Sequence, residues 1–427
     1  MELDTPATTG NRTPLAGALS GAASPPAAPP PGEASPVSAR ALAAAGETAE
    51  LEALIAATGL FQEADPDAAI FTFGNPQEMP LQGLVDALRA SAEPRSADWY
   101  AYKASDEAPR TFLARSLSQE LGVEFEPHDV ALTAGAFAAI SVAFHLLTDP
   151  GDEVVIPKPG WFLYAPVLRQ ALAVPVEASL DPVTWDIDLD AVDAAITPRT
   201  RVVVVNSPHN PTGRVYGPEV WDALADVLER ASQRIGRRIY LLSDEPYRRI
   251  RFDGTGFASP AAHYPWTLID YSYGKVLLAP GQRLGYLALS PLMPEADRAA
   301  LRAATFPVQA ALGWVFPEAI MQHSVEALET VGLDVAELEA KRDLLVGALT
   351  GWGYDVVRPE GTFYLWAAAP GGDAAAFAAW LAERSVHVLP GGIFGQPAHF
   401  RLCLTATRDM IERALPAFEE AATAPWR

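Results

Sequence analysis

Lysine is the residue type that first indicates chemistry in this sequence. The 427-residue chain has 31 basic residues, and only four of them are lysines: Lys103, Lys158, Lys275 and Lys341. Lys275 comes directly after the apolar run 267–271, where a buried strand is predicted to meet a loop. Open α/β sheets bind ligands at such strand ends, and burial lowers the pKa of a lysine toward that of a nucleophilic amine. Lys275 is therefore the candidate nucleophile, whereas Lys341, in a Glu-rich helical stretch, is predicted to face solvent.

Polar motifs also end the neighbouring apolar runs. Run 201–205 stops at a turn that contains Asn210 in the sequence Asn-Pro-Thr-Gly. Run 239–242 stops at Ser-Asp-Glu-Pro-Tyr, which supplies Asp244 and Tyr247, and run 152–156 stops shortly before Trp161. Because ligands of open α/β sheets bind outside the carboxyl ends of the strands, these side chains are candidates for one site together with Lys275.

The elements that must position these motifs follow an α/β pattern between residues 95 and 295. Short apolar runs at 152–156, 201–205, 239–242, 267–271 and 284–289 alternate with longer helical patterns. Runs that are apolar on both faces are typical of strands covered by helices on each side, so the sequence predicts an α/β domain with a mostly parallel sheet. Helical patterns after Pro294 and strand-like pieces at 362–367 and 399–404 predict a smaller α+β domain.

Composition divides the chain further. Residues 1–46 are rich in Ala, Pro, Ser, Gly and Thr and are predicted to be a disordered arm. Residues 47–94, with an amphipathic pattern at 81–88, are predicted to be the first part of the small domain. Residues 95–295 form the predicted large domain, and residues 296–427 form the rest of the small one.

Charge and cysteine content exclude several classes of protein. The formal net charge of −22 opposes general binding to nucleic acids or membranes. The single cysteine, Cys403, excludes an intramolecular disulfide framework, and the seven histidines show no metal-binding spacing, so no metal site is predicted. Residues 130–148 lack charged side chains but contain polar ones, which favours a buried strand, a Gly turn and a buried helix over a membrane span. With no signal-peptide pattern at the N-terminus, we expect a cytoplasmic protein.

Taken in order, the motifs resemble those of the aspartate aminotransferase family, the class I/II aminotransferases of fold type I that use pyridoxal phosphate. The similarity runs from about Phe71 to the C-terminus and includes five separate motifs. It implies an enzyme that moves an amino group between an L-amino acid and a 2-oxo acid through a Schiff base on Lys275. It also implies a homodimer with shared active sites.

The resemblance assigns a role to each residue around the cofactor ring. Lys275 would form the internal aldimine and then shuttle a proton between the substrate Cα and the cofactor C4′. Asp244 would keep the pyridine nitrogen protonated, so that the ring can accept electrons. Tyr247 and Asn210 would hydrogen-bond the phenolic oxygen of the ring, and Trp161 would stack on its face.

The resemblance also assigns the residues that bind anionic groups. The phosphate would be held by Ser272, by Arg283 and by the N–H groups of Ala136 and Phe137 at a helix N-terminus. The family often has a polar side chain where Phe137 stands, so here only its backbone would contribute.

Three further residues are assigned to the substrate and to the partner subunit. Arg401 would grip the substrate α-carboxylate, and Gly74 would lie in the turn that closes over the substrate. Tyr102 would reach the phosphate of the partner subunit, with Tyr100 as a rival. A glycine that the family commonly has five residues after this tyrosine is replaced by Glu107.

Other functions fit the same residues. Lys275 with Asp244 equally supports elimination, replacement, C–C bond formation or oxidation, because pocket shape decides which bond at Cα breaks. Some transcription regulators carry an aminotransferase-like domain behind a helix-turn-helix unit. The leader here has only Arg12 and Arg40 as basic residues, so DNA binding is not expected.

Overall fold

The computed structural model describes residues 35–58 and 67–423. Its helices are α1 (Ala39–Thr58), α2 (Gln82–Ala92), α3 (Glu107–Leu121), α4 (Ala136–Leu147), α5 (Tyr164–Gln170), α6 (Leu189–Ala195), α7 (Pro218–Ile235), α8 (Tyr273–Val276), α9 (Glu295–Leu312), α10 (Ala319–Leu328), α11 (Val335–Gly351), α12 (Ala374–Ala382) and α13 (Arg408–Thr423). Most of the predicted N-terminal arm lies outside the described residues. Its last part, residues 39–46, belongs to α1 instead of a disordered segment.

The strands of the described residues form three sheets. They are β1 (Ala69–Ile70), β2 (Val130–Thr133), β3 (Glu153–Lys158), β4 (Val174–Ser179), β5 (Thr200–Asn206), β6 (Tyr240–Asp244), β7 (Thr267–Ser272), β8 (Gly285–Leu289), β9 (Val356–Val357), β10 (Tyr364–Ala368), β11 (Val386–His387), β12 (Leu389–Pro390) and β13 (His399–Cys403). The largest sheet has seven strands in the order β2-β8-β7-β6-β5-β3-β4. Only the β2–β8 and β7–β8 pairs in it are antiparallel, which confirms the mostly parallel sheet.

Helices cover both faces of this sheet, as the doubly apolar runs predicted. Val202 and Val204 pack with Phe144 of α4 in one buried cluster. Val203 and Val205 point the opposite way, into a cluster with α7. The edge strand β4 was not predicted, because its sequence contains no continuous apolar run. Most of its residues are only partly buried.

The charge-free stretch 130–148 forms β2, a turn at Gly135 and the buried helix α4, as expected. Within the described ranges, no helix is long and apolar enough to cross a membrane.

A second structural unit packs around a four-stranded antiparallel sheet in the order β12-β13-β10-β9. Its buried cluster combines residues of α11, α12 and α13 with Phe71 near β1. β1 pairs in parallel with β11, which ties the segment after residue 67 to this C-terminal unit.

The helices next to the predicted boundaries at 94 and 295 pack on the large sheet. Leu84 of α2 and Met321 of α10 share a buried cluster with Tyr271 and Tyr286 of the large sheet. Leu301 of α9 joins another cluster of the same sheet. These helices therefore belong with the large unit, because their apolar faces cover the sheet; the sequence pattern identified the helices without showing which core they cover.

The prediction that Lys341 faces solvent is wrong. Its side chain is almost fully buried, at 3% exposure, and its Nζ donates to Glu78 Oε1 at 2.9 Å. Leu338 and Leu345 lie one turn before and after it on the same face of α11, which packs into the C-terminal core. The aliphatic stem of Lys341 is therefore covered by the core while its amine reaches an exposed carboxylate.

Candidate active site

A cavity opens at the carboxyl ends of β5, β6 and β7. Its lining contains nine of the residues singled out in the sequence: Ala136, Phe137, Trp161, Asn210, Asp244, Tyr247, Ser272, Lys275 and Arg283. These residues come from five separate strand ends or loops, and the parallel sheet brings them together. The cavity lies where open α/β sheets bind their ligands.

Lys275 stands in the one-turn helix α8, directly after β7. Its Nζ lies 5.6 Å from the centroid of the Tyr247 ring and 5.9 Å from that of Phe363. With the described residues Nζ forms no hydrogen bond or ion pair, and the side chain is only half-buried. The amine is thus held among aromatic faces and remains available to a ligand.

Asp244, at the end of β6, is buried, and its two carboxyl oxygens have different surroundings. Oδ2 accepts a hydrogen bond from the Tyr164 hydroxyl, whereas Oδ1 has no hydrogen-bond partner among the described residues. Burial raises the pKa of Asp244, and the hydrogen bond from Tyr164 opposes that rise. A buried acceptor without a donor is costly, so Oδ1 fits a ligand that brings an N–H group.

Sequence reasoning missed Tyr164. Burial, followed by the charge of Asp244, holds the pKa of this tyrosine well above its usual value, so it stays a donor. Its ring packs edge to face on Trp161, with centroids 5.1 Å apart. The signal that could have found it is its position three residues after Trp161, at the start of α5.

Tyr247 and Tyr364 are both buried, and their hydroxyl groups form a pair. Their oxygens are 3.3 Å apart, and burial raises the pKa of Tyr247 well above its usual value. Tyr364 also escaped the sequence analysis, because it lies within an apolar run that forms β10. Together the two hydroxyls connect the large sheet to the C-terminal sheet beside the cavity.

Arg401 lies in the middle of β13, opposite Trp366 of β10, and is buried. Its Nη1 donates to Asn210 Oδ1 at 2.8 Å, and its Nη2 donates to the carbonyl oxygen of Thr72 at 2.9 Å. The guanidinium carbon lies 3.9 Å from the centroid of the Tyr364 ring. Nε is buried without a hydrogen-bond partner among the described residues. A buried guanidinium without a carboxylate partner fits an anionic ligand.

Gly74 stands where the chain has no room for a side chain. A Cβ on Gly74 would stand 2.5 Å from Cε2 of Phe363 and 3.1 Å from the Tyr364 hydroxyl. The chain at 72–74 is therefore pressed against β10, and Thr72 can offer its carbonyl oxygen to Arg401. Asn210 is fixed in turn by Asn206, whose Oδ1 accepts from the Asn210 backbone N–H at 2.7 Å.

In another part of the cavity, the turn between β2 and the start of α4 forms a cradle that suits an anion. β2 ends at Thr133, Gly135 has a φ of 81°, and α4 begins at Ala136 without a side-chain cap. The first N–H groups of the helix are therefore free to bind an anion. Arg283 lies against this turn, since a Cβ on Gly135 would be 2.7 Å from its Nη2. The ring of Phe137 packs edge to face on Trp161, at 5.0 Å, and so only its backbone can contribute.

Gly285 packs directly against the backbone of the turn at Gly135, which gives a first testable prediction. A Cβ at Gly285 would stand 2.1 Å from the backbone oxygen of Tyr271 and 2.8 Å from the Cα of Gly135. We expect Gly285→Ala to cost about 1–3 kcal/mol of stability by overpacking and to lower the midpoint of thermal unfolding. Gly347→Ala is the matched control, because Gly347 is an exposed residue of α11 with no atom near its Cβ position. It should stabilise the protein by about 0.5–1 kcal/mol, because Ala favours a helix more than Gly does. The midpoint of thermal unfolding should therefore rise slightly. Equal stability of Gly285→Ala and the unaltered protein would contradict this account.

Three assigned residues are not part of the cavity lining: Arg401, Gly74 and Tyr102. Arg401 adjoins the cavity through its hydrogen bond to Asn210, whereas Tyr102 lies at the surface. Its side chain is 85% exposed, and its ring packs at 4.8 Å on the exposed ring of Phe316. The rival Tyr100 is also exposed, and its hydroxyl donates to the carbonyl of Ala92. Neither tyrosine lines the cavity of its own chain. Among the described residues there is also no group of three or more His, Cys, Asp or Glu that could hold a metal ion.

Comparison with known proteins identifies the class to which this fold and site belong. A sequence profile described as aminotransferase class I and II matches residues 71–418. The chain therefore belongs to the class I and II aminotransferase family, which confirms the resemblance found in its motifs, and its fold is that of the fold type I aminotransferases.

Its relatives carry more particular names. The chain is 32% identical to the aspartate/prephenate aminotransferase of Thermus thermophilus over 82% of its length and 90% of the relative's. It is 30% identical to an aspartate aminotransferase of Geobacillus stearothermophilus over 71% of its length and 78% of the relative's. A solved amino transferase structure from Eubacterium rectale matches with a TM-score of 0.79 and 31% identity, covering 90% of this chain and 96% of that one.

Proposed function

We propose that this protein is a pyridoxal-phosphate-dependent aminotransferase that moves an amino group between an L-amino acid and a 2-oxo acid. The observation that carries the proposal is the pairing, in one cavity, of the unpartnered amine of Lys275 with the unpartnered Oδ1 of buried Asp244. Pyridoxal phosphate offers an aldehyde to an amine, a ring nitrogen to a carboxylate and a phosphate to an anion cradle. When bound, it acts as an electron sink for the bonds at the substrate Cα.

Each of the chain's own residues around the cofactor then has a separate role. Lys275 would hold the cofactor covalently through its Nζ, and the same amine would move a proton to and from the substrate Cα. Asp244, fixed by Tyr164, keeps the ring nitrogen protonated. Tyr247 and Asn210 hold the phenolic oxygen, and Trp161 covers the ring face.

Anionic groups are bound at two places, one in the cavity and one beside it at Arg401. The N-terminus of α4, Ser272 and Arg283 bind the phosphate. Arg401 binds the substrate α-carboxylate, because its buried fork keeps an N–H free while Asn210 and Thr72 fix its orientation. Gly74 lets the chain at 72–74 pass close to Phe363 and Tyr364, in the turn that closes over the substrate.

The relatives suggest the first substrates to test. Several are named aspartate aminotransferases, and one solved relative from Thermus thermophilus, 29% identical with a TM-score of 0.75 over 91% of this chain and all of that one, holds maleate, a dicarboxylate. We therefore propose aspartate as donor and a 2-oxo dicarboxylate as acceptor. The single, buried and unbridged Cys403 is compatible with the proposed cytoplasmic setting.

We further propose a homodimer in which Tyr102 completes the partner's phosphate site. The support is that Tyr102 lies outside its own cavity and packs on the exposed ring of Phe316, and that Phe306 and Trp314 are exposed aromatic residues close to Phe316 in the sequence. Exposed aromatic groups of this kind are typical of interfaces. Mixing inactive Lys275→Ala chains with Tyr102→Ala chains tests this arrangement, since hybrid dimers would contain one intact site. Recovery of activity is expected, and no recovery despite verified hybrid formation would contradict the sharing of sites.

Transamination is tested by product analysis of the loaded enzyme. With aspartate alone, the visible absorption of the lysine-bound cofactor should disappear with release of one equivalent of oxo acid and no ammonia. Adding a 2-oxo acid should restore the absorption and yield a new amino acid. Ammonia release, oxygen uptake or a substituted product would favour the alternative, a lyase, replacement or C–C bond-forming synthase, or oxidase on the same scaffold.

A further inference from the structure

Asp270 is a buried carboxyl group without an assigned role. It lies on β7, and its register partner on the adjacent parallel strand β6 is Asp244. The side chain is 0% exposed, and neither of its oxygens has a hydrogen-bond partner among the described residues. Neighbouring strands are about 4.8 Å apart, so side chains of register partners on one face of a sheet touch. Two acidic side chains therefore stand next to each other at the end of the sheet, below the cavity.

Among the residues that the structure describes, those around Asp270 offer no positive charge that could balance both acids. Alternation along β7 puts Asp270 on the same face as Leu268, which packs under α4. The α4 residues of this cluster are all apolar: Ala139, Ile140, Val142, Ala143, Phe144 and Leu147. β8 places Leu287 opposite Asp270.

In the described part of the chain, the titratable groups that act on this pair come from β6 and the loop after it, from α5 and from α8. β6 contributes Asp244, and the loop after it contributes Tyr247, which interacts with Asp244, and Glu245, which acts on Asp270 and interacts with Arg248. α5 contributes Tyr164, whose hydroxyl is already committed to Asp244. α8 contributes Lys275, whose charge acts on Asp244. Like charges at such a separation in a buried setting cannot both persist, so one of the two acids must keep a proton.

We propose that Asp270 keeps that proton and is a positioning residue that donates a hydrogen bond to Asp244, so that the pair carries a single negative charge. Asp244 then has two donors, Tyr164 and Asp270, and presents its remaining acceptor capacity to the cavity. A carboxylate that accepts hydrogen bonds from its own protein is less basic than an isolated buried one. The pair therefore leaves a proton on a bound ring nitrogen instead of drawing it onto Asp244. This last step rests on the proposed function, whereas the shared proton does not.

Electrostatics agree with this assignment. Burial, followed by the charge of Asp244, raises the pKa of Asp270 well above its usual value. Burial also raises the pKa of Asp244, but the hydrogen bond from Tyr164 and the charge of Lys275 oppose that rise. Asp244 accepts a hydrogen bond from Tyr164 and is acted on by the charge of Lys275, both of which favour its ionised form, whereas Asp270 has neither. The proton therefore resides on Asp270.

Stability of the cofactor-free protein tests the shared proton directly. The folded state would hold a proton that the unfolded state releases above about pH 4, so stability should fall as pH rises, until the pKa of Asp270 in the folded state is passed. One such proton corresponds to about a tenfold change in the unfolding equilibrium constant per pH unit. Asp270→Asn keeps the shape and a donor but cannot titrate, so it should remove this part of the slope and be more stable at neutral pH. Exposed Asp297→Asn is the control and should keep the slope. An unchanged slope in Asp270→Asn would overturn the proposal.

The cofactor-bound protein tests the action through Asp244. Asp270→Asn, which retains a donor, should bind pyridoxal phosphate within about threefold of the unaltered protein. Asp270→Leu, which lacks one, should bind about tenfold more weakly, as for loss of a hydrogen bond to a charged group, and its visible band should titrate at a different pH. Equal affinities and identical titrations of the two folded variants would overturn the role toward Asp244. Absence of a lysine-bound band in the unaltered protein would instead refute the proposed function and leave the stability test standing.

Discussion

Lys275→Ala is expected to abolish turnover and the visible absorption of the bound cofactor together. The substitution removes the covalent attachment point and the group that moves the Cα proton. Loss of general acid–base catalysis alone costs about 10²- to 10⁴-fold in rate, and loss of the covalent step adds to it. The measurement is steady-state turnover with aspartate and a 2-oxo acid, combined with an absorption spectrum of protein mixed with pyridoxal phosphate.

Lys158→Ala is the matched control for this experiment. Lys158 also stands at the carboxyl end of a strand of the large sheet, but its Nζ is engaged with Glu177 Oε1 at 2.7 Å. A partly exposed ion pair of this kind contributes about 0–1 kcal/mol to stability, so the control should retain the spectrum and the activity. Full activity of Lys275→Ala would remove Lys275 from the chemistry.

Arg401→Ala should produce the second large effect, a steep rise in KM for every amino acid tested. Loss of one partner of a buried, hydrogen-bonded charge pair costs about 2–5 kcal/mol, which corresponds to roughly a 30- to 5,000-fold loss in kcat/KM. The effect should be independent of the amino-acid side chain, because the α-carboxylate is common to all of them. Steady-state kinetics with several amino acids measure it.

Two further variants separate binding from folding. Arg401→Lys keeps the positive charge in the buried site but not the planar fork, so it should fold and still show a raised KM. Arg384→Ala removes another arginine of the same unit, which pairs with Glu420 at the surface, and should leave KM unchanged. An unchanged KM in both Arg401 variants would exclude Arg401 from substrate binding.

The sequence predicted those parts of the fold that depend on local patterns. The strands at 201–205 and 267–271 could be found because each is a continuous apolar run, and the turn at 210–213 because its composition is distinctive. The edge strand β4 has neither feature. The cores covered by α2 and α10 depend on contacts between distant parts of the chain, which an amphipathic pattern does not reveal.

The candidate site shows the same difference between residues that a local pattern reveals and residues that only distant contacts reveal. Lys275, Asp244 and Asn210 lie at strand ends, where a polar residue after an apolar run stands out. Tyr164, Tyr364 and Asp270 lie inside helical or apolar segments, so their roles became visible only through their contacts. Asp270 did carry a signal, since it is a charged residue within the run 267–271, and burying such a group without a counter-charge is costly.

The most direct test of the central claim is to locate the cofactor on the chain. Protein loaded with pyridoxal phosphate would be reduced with borohydride, which fixes an amine-bound cofactor permanently, then digested and mapped by mass spectrometry. The chain has only four lysines, so each can be followed separately. We expect the cofactor mass on Lys275 alone, and a label on Lys103, Lys158 or Lys341 with Lys275 unmodified would contradict the account.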